Sequence, residues 1–520
     1  MNILASKQFY SFEQKQRRSM KQIKKVLVAN RGEIAIRVMR TCREMGISTV
    51  AVYSEADRTS MHVRYADEAW YIGKSPSPES YLNLENILAA ARRSGADAIH
   101  PGYGFLSENA RFATRCLEEG ITFIGPSAEV ISEMGDKIRA REAMIKAGIP
   151  VVPGSEGVLR EDGEALEFIR KEGLPVMIKA AAGGGGKGMR LVHTEEELIP
   201  ALRAARSEAL AAFGDDAVYI EKYISSPHHI EFQILADEHG HTLHLFEREC
   251  SIQRRHQKMI EETPSPLMTH GLRARMGETA VRAARAVGYT GAGTIEFLVD
   301  DQLNYYFLEM NTRLQVEHPI TERVTGVDLV KQQILVAMGH PLPFRQEDLI
   351  QRGHAIECRI YAEDPDNNFL PSAGKISRIT EPTGLGIRTD GYVYEGYEIP
   401  IYYDSMISKL IVWGSTRGET ISRMKRALYE YKITGVKTSV RFLEKIMDCP
   451  DFRTGSYDTR FIEKNRECLE TTDRCRHSCE DMVVIAAYID YRERLGRVLE
   501  SKEFQPVQNR WKKTAHIHHF

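Results

Sequence analysis

A chain of several α/β and α+β domains, opening on a parallel sheet, is what the sequence predicts, on three observations. A strand–helix–strand pattern repeats from Val26 to Ile124. A glycine-rich turn, "AAGGGGKGMR" at 181 to 190, sits between two strand-like runs. From about 224 to 400 short β-type segments dominate, at spacings that suit antiparallel hairpins. At 520 residues the chain has room for two to four cores of ordinary size.

The elements follow in order. Val26 to Ala29 reads as a buried strand, and Ile34, Val38, Cys42 and Met45 mark a helix that Gly46 ends. Thr49 to Tyr53, Ala98 to His100 and Thr122 to Ile124 continue an open parallel sheet. Pro, Gly and Ser punctuate 125 to 155, a linker into a second unit that closes near 223. The strands expected beyond it are His229 to Ala236, His241 to Glu247, Gly293 to Val299, Tyr305 to Met310 and Ala355 to Tyr361. Residues 419 to 447 return to helical character, and 471 to 520 form a tail with one amphipathic stretch at Met482, Ile485 and Ile489.

Composition excludes several function classes. Lys plus Arg (70) nearly balance Asp plus Glu (72), so no nucleic acid or membrane surface is expected as the main partner. No apolar run approaches the roughly 18 residues of a membrane span. Eight scattered cysteines without Cys-x-x-Cys suit a reducing compartment. Cys475, His477 and Cys479 lie close together, but no second pair matches them, which leaves a zinc site there weakly supported. The expected location is the cytoplasm. The basic start, seven Lys or Arg against Glu13 in the first 25 residues, leaves open a mitochondrial matrix presequence beside a plain extension or an upstream start before Met20.

The glycine turn fits neither familiar phosphate motif. Gly186-Lys187 is followed by Gly188, not Ser or Thr, so a P-loop is excluded. Gly183, Gly185 and Gly188 satisfy Gly-x-Gly-x-x-Gly, but Met189 to Val192 reads as a strand where a dinucleotide fingerprint needs a helix. With Pro175 to Lys179 as the strand before it, the turn is a flap that can fold over phosphates, or a flexible hairpin without ligand.

Glu296 in "GTIEFLV" and Glu309 in "YYFLEMN" each alternate with apolar neighbours, and the turn "DDQLN" between them sets the two carboxylates opposite on one face. At about 5 Å and an effective dielectric near 20, their repulsion is roughly 3 kcal/mol. Magnesium bridging phosphates would relieve it, although two solvated acids on an exposed face remain the plainer reading. If the chain stays extended, Glu309, Asn311, Arg313, Gln315 and Glu317 share that face. "CSIQRRHQK" gathers Arg254, Arg255, His256 and Lys258, which suits an anion or a solvated charge run.

Seven motifs in order, "LVANRGEIAIR", "HPGYGFLSEN", "MGDK", "KAAAGGGGKGMR", "CSIQRRHQK", "EMNTRLQVEH" and "ECRIYAED", resemble the biotin carboxylase family of ATP-grasp enzymes, from about residue 23 to 465. The resemblance implies a Rossmann-like N-terminal domain (23 to 135), an ATP-grasp fold (136 to 340) with a mobile glycine-rich lid (about 151 to 223), and a C-terminal domain (350 to 465). It leaves outside an extension (1 to 22) and a tail (471 to 520). It further implies that ATP phosphorylates bicarbonate and that the carboxyphosphate supplies carbon dioxide to biotin. Lys137, Lys179, Gly184, Gly185, Gly186, Glu221, Lys222, Ile224, His229, Gln253, His256 and Leu298 match nucleotide-site positions. Glu296, Glu309 and Asn311 match ligands of Mg2+ or Mn2+. Glu317 matches the general base, Lys258, Arg313, Gln315 and Val316 the bicarbonate site, and Arg359 the residue that stabilises the biotin enolate. Neither Met-Lys pair, at 20 to 21 and 424 to 425, has the Met-Lys-Met setting of a biotinylated lysine. The expected partners are therefore a carboxyltransferase subunit with a separate biotin carboxyl carrier protein, and the expected assembly is a homodimer. Two rivals stay open: another ATP-grasp ligase, and a nucleotide-binding subunit without turnover.

Overall fold

In the computed structural model, residues 21–155, 157–181, 188–470 and 484–492 are described. The basic extension up to Met20, the glycines at 184 to 186 and most of the tail, including Met482 and the Cys475/His477/Cys479 group, lie outside them. The chain forms two units, Met1–Leu469 and Glu470–Phe520. In the second, residues 484 to 492 are helical and carry Ile485 and Ile489. No helix among the described residues is long and apolar enough to cross a membrane.

The first sheet is parallel, as expected. It comprises β1 (Lys25–Val28), β2 (Ser48–Ser54), β3 (Glu68–Gly73), β4 (Ala98–His100) and β5 (Thr122–Phe123), in the order β3-β2-β1-β4-β5. Its central strands carry continuous apolar runs, Val26–Val28 in β1 and Val50–Val52 in β2, because both faces are covered. Val26 and Val28 pack on Ile34 and Val38 of α1 (Gly32–Glu44), whereas Leu27, Val50 and Val52 pack on Leu88 and Phe112. Strand β3 was not anticipated, because at the sheet edge it is half exposed and lacks a continuous apolar run. The order reverses between β1 and β4, which opens a crevice beyond their carboxyl ends. The loop after β4 leaves this crevice and delivers Glu108 to the candidate site, where it accepts from the Thr312 N–H at 3.1 Å.

The glycine turn joins two antiparallel strands, as the sequence implied. They are β6 (Val176–Ala180) and β7 (Arg190–Val192), with β8 (Val218–Lys222) on the other side of β6. Gly188 has φ +70°, and a Cβ there would lie 2.8 Å from the Cβ of Ala180, so the return of the flap to its sheet requires glycine.

The third sheet has eight antiparallel strands. They are β9 (His228–Ala236), β10 (Thr242–Arg254), β11 (Gln257–Thr263), β12 (Gly291–Val299), β13 (Tyr305–Asn311), β14 (His354–Tyr361), β15 (Ile387–Gly391) and β16 (Met406–Gly414). Their order is β13-β12-β9-β10-β11-β14-β16-β15. β10 runs seven residues past the expected end at Glu247, and β11 occupies part of what read only as a basic cluster.

Helices also interrupt the region expected to be mainly strands: α2 (His270–Ala286), α3 (His318–Thr325) and α4 (Leu329–Ala337). α2 is capped by the Thr269 hydroxyl oxygen, which accepts from the Leu272 N–H. It lays Leu272, Met276, Ala280 and Ala283 on Ile230, Phe232, Ile295 and Phe297. Each of the Leu, Met, Ile and Phe side chains among them contributes about 1.5–3 kcal/mol by leaving water. Alternation therefore aims His229, Glu231, Gln233, Thr294 and Glu296 at the opposite face, where the polar site forms. The helical stretch expected over 419 to 447 is two helices, Arg417–Glu430 and Val440–Asp448, separated by a short strand at Lys432–Thr434.

Candidate active site

The β12–β13 hairpin places Glu296 directly opposite Glu309. The Asp300 carboxylate closes its turn, accepting from the N–H groups of Gln302 and Asn304, each at 2.9 Å. Burial would lift the Glu296 carboxyl, but Lys258 and then His229 hold it well below the usual range. The His229 Nε2 lies 2.8 Å from Glu296 Oε2. Glu309 is exposed and shifts upward, chiefly because it faces Glu296. Two facing oxygen donors with residual repulsion fit a hard divalent cation such as Mg2+ or Mn2+. Asn311 is already engaged, with Nδ2 donating to Glu296 at 3.0 Å and Oδ1 accepting from Arg313 at 2.7 Å.

Lys258 is the hub of the site. Its Nζ donates to Glu231 at 2.6 Å, Glu317 at 2.7 Å and Glu296 at 3.0 Å. Despite the desolvation that burial imposes, these three carboxylates keep its ammonium charged well above the ordinary range. A bulge makes this possible: Lys258 pairs with Gln253 and Ile260 with Ile252, which leaves Met259 as an extra residue. Alternation shifts at that point, so that Lys258 and Glu261, three apart, reach one ionic network.

Glu317 accepts from Lys258 on one oxygen and from Arg359 Nη2 on the other, at 3.0 Å. Burial acts to raise its pKa, yet Lys258, Arg359 and Arg248 hold it well below the usual carboxylate range. Arg359 also donates from Nε to Glu261 at 2.6 Å.

The expectation of a continuous extended face from Glu309 to Glu317 is not met. β13 stops at Asn311, the chain turns, and Glu317 stands at the N-cap of α3. Four of the five side chains nevertheless share the network, because the turn folds them back. Gln315 Nε2 donates to Glu296 at 2.8 Å, and Arg313 bridges Asn311 and Glu108 at 2.7 and 2.8 Å. The exception is Glu309, which has no hydrogen bond or ion pair among the described residues. The Val316 carbonyl accepts from Lys409 Nζ at 2.9 Å.

The basic cluster splits. Arg255 and His256 form the exposed β10–β11 turn at φ +48° and +65°, and Arg254 stacks 4.0 Å from the ring of Phe369. Gln253 is half buried beside Lys258. Of the four basic side chains only Lys258 enters the network.

At the other end of the cleft, Lys179 Nζ meets Glu221 Oε2 at 2.6 Å. Lys137 opens the helix Lys137–Lys146, and burial, with Lys179 adding to it, depresses its pKa. The Lys222 amine is tied to the carbonyls of Glu172 and Leu174 at 2.8 and 3.3 Å, so its charge is engaged by main chain. Ile224 follows β8, and Leu298 pairs with His229; both are half buried.

Sequence reasoning missed Arg248, Glu231, Glu108 and Glu261. Arg248 is fully buried and donates to Glu231 and Gln315 at 2.5 Å, Gln233 at 2.7 Å, Thr321 at 3.0 Å and Thr294 at 3.1 Å. The one local signal was a lone arginine between two glutamates on a strand, "ERE" at 247 to 249.

Three family profiles match the chain in order: "Biotin carboxylase, N-terminal domain" over 22–131, "Carbamoyl-phosphate synthase L chain, ATP binding domain" over 136–345, and "Biotin carboxylase C-terminal domain" over 357–464. Biotin carboxylase 1 of Bacillus subtilis is 56% identical over 442 residues, 85% of this chain and 98% of that protein. A pyruvate carboxylase subunit of Methanothermobacter thermautotrophicus is 57% identical over 450 residues, 86% of this chain and 91% of that protein. Among solved structures, the biotin carboxylase domain dimer of Hydrogenobacter thermophilus 2-oxoglutarate carboxylase, complexed with MgADP, ADP and bicarbonate, matches with TM-score 0.84 and 52% identity over 87% of this chain and 100% of that one. The chain belongs to the biotin carboxylase family.

Proposed function

We propose that this chain uses ATP and bicarbonate to carboxylate biotin carried on a separate protein, as the first half-reaction of an acyl-CoA or pyruvate carboxylase. The observation that carries the reading is the buried constellation of Lys258, Glu317 and Arg359, in which a carboxylate is held ionised between two cations. Such a carboxylate is in the form a general base requires. Its basicity is muted while both cations hold it and rises as either turns toward an incoming anion.

The residues then divide the work. Lys137 and Lys179 face the nucleotide phosphates, and Glu296 and Glu309 would hold the divalent cation, whose charge neutralises the phosphoryl oxygens when bound. Lys258, Arg313, Gln315 and the Val316 main chain bind bicarbonate, and Glu317 removes its proton. The bicarbonate oxygen accepts the γ-phosphoryl group of ATP with ADP leaving, the resulting carboxyphosphate breaks down to carbon dioxide and phosphate, the phosphate takes the N1′ proton of biotin, and the deprotonated N1′ captures the carbon dioxide. Arg359 supplies a fixed cation where the enolate charge of biotin develops.

The names of the relatives and the bicarbonate-bound homologue support this reading. The proposed partners are a biotin carrier protein, a second copy of this chain, in line with the dimer of the Hydrogenobacter domain, and a carboxyltransferase subunit. A cytoplasmic setting accords with six free thiols among the described residues.

The test is ADP release from Mg-ATP and bicarbonate, with and without free biotin, alongside labelled bicarbonate fixed into carboxybiotin. Label fixed only when biotin is present, with ADP release rising in parallel, is expected. ATP turnover without label in biotin would point to another ligase that shares the ATP-binding fold, and no turnover would favour a nucleotide-binding subunit.

A further inference from the structure

Behind Arg359 lies a pair of acids that the proposed reaction does not use. Glu261 on β11 and Glu357 on β14 stand directly opposite each other, and both are 0% exposed. Directly opposed residues have Cβ atoms about 4.5–5.5 Å apart, so their carboxyl groups are within reach of each other. Glu261 Oε1 accepts from Arg359 Nε, but Glu261 Oε2 and both oxygens of Glu357 have no hydrogen-bond partner.

The surrounding charges do not cover two anions. From β14 comes Arg359, already shared with Glu317 of α3, and from β16 comes Lys409, committed to the Val316 carbonyl at 2.9 Å and Glu33 at 3.1 Å. Lys258 of β11 is spent on three other carboxylates. Tyr103, bonded to Glu33, and the thiols of Cys250 and Cys358 add no positive charge. A buried carboxylate with neither cation nor donor takes up a proton instead.

We propose that Glu261 and Glu357 share one proton, the Glu357 hydroxyl donating to Glu261 Oε2, and that this carboxyl pair is a positioning device that sets how Arg359 divides itself between Glu261 and Glu317. With the proton in place, Glu261 carries a single charge opposite the guanidinium. Once the proton leaves, a second negative charge appears on that side and draws Arg359 away from Glu317. Burial pushes Glu357 well above the usual range and Glu261 to about 7, in the same direction.

The role in turnover rests on the biotin-carboxylating function, whereas the shared proton does not. Infrared spectroscopy of the full chain is therefore paired with pH profiles of biotin-dependent ADP release. The wild type should show the carbonyl stretch of a protonated carboxylic acid at neutral pH, absent from Glu357→Gln and shifted in frequency in Glu261→Gln, where Glu357 stays buried without a cation. Glu357→Gln keeps an N–H donor to Glu261, so it should retain more turnover than Glu357→Leu and should lose the alkaline decline in kcat expected of the wild type, with KM for ATP unmoved. Absence of the band in folded wild type, its unchanged persistence in Glu357→Gln, or identical pH profiles for the wild type and Glu357→Gln would overturn the proposal. A wild type that shows the band but no biotin-dependent turnover would instead refute the functional reading.

Discussion

The two ends of the cleft handle charge in opposite ways. At the end around Lys258, the buried charges of Arg248, Arg359, Glu231 and Glu317 each have an opposite charge within 3.0 Å. At the nucleotide end only Lys179 and Glu221 pair tightly, while Lys137 and Glu309 make no ion pair among the described residues. The contrast teaches which part is complete on folding. The first end is preorganised for a small anion, at a desolvation cost met when the chain folds. The second leaves two like-charged couples, Lys137 with Lys179 and Glu296 with Glu309, that a polyphosphate and a divalent cation would neutralise together.

If that contrast is right, substitutions at the two ends differ in kind. The largest expected effect on stability is from Arg248→Met, which leaves Glu231 with Lys258 as its one cation and strips the side-chain oxygens of Gln233 and Gln315 of their donor. It should cost about 3–5 kcal/mol, read as a lower urea midpoint.

Glu262, next to Glu261 on β11, is held down to about 2 against the desolvation of burial by His354 and Arg417. An acid depressed in the folded state stabilises above its unfolded value of 4.5 and loses that contribution as pH falls toward 2, here about 3 kcal/mol. The Glu261/Glu357 pair has the opposite sign. Burial raises both carboxyls, so the folded state keeps one proton that the unfolded chain releases above 4.5; that contribution is complete below 4.5 and is lost as pH rises through the pair's raised range. Thermal melts of Glu262→Gln and Glu357→Gln across pH should therefore flatten opposite limbs of the stability curve.

Glu309→Gln relieves the repulsion with Glu296. It should stabilise the free protein by up to about 1 kcal/mol while weakening magnesium-dependent ATP binding in calorimetry. Lys137→Met, the smallest change, should leave the stability within about 0.5 kcal/mol of wild type and show itself only in ATP affinity. Equal destabilisation by Arg248→Met and Lys137→Met would erase the distinction between the two ends.

Legibility in the sequence followed the range of the interactions. The Glu296/Glu309 hairpin was readable because two alternating strands and a five-residue turn set its register locally. So was the parallel start, from its apolar runs. Arg248 was not, since its partners lie 15 to 73 residues away and nothing beside it distinguishes a buried hub from a solvated charge. Glu108 reaches Arg313 across 205 residues for the same reason. The bulge at Met259 and the end of β13 at Asn311 depend on how the sheet closes around the site. The assumption of strict alternation therefore placed Arg313, Gln315 and Glu317 on a strand they do not occupy, while still gathering residues that meet in space.

The most direct test of a preorganised base compares wild type with Glu317→Gln for binding of ATP and for labelled bicarbonate fixed into free biotin. The amide keeps the shape of the side chain but removes the charge held by Lys258 and Arg359. ATP affinity within about twofold of wild type, with fixation reduced by about 10²–10⁴, is the expected result. Fixation at the wild-type rate by a folded Glu317→Gln would contradict the account.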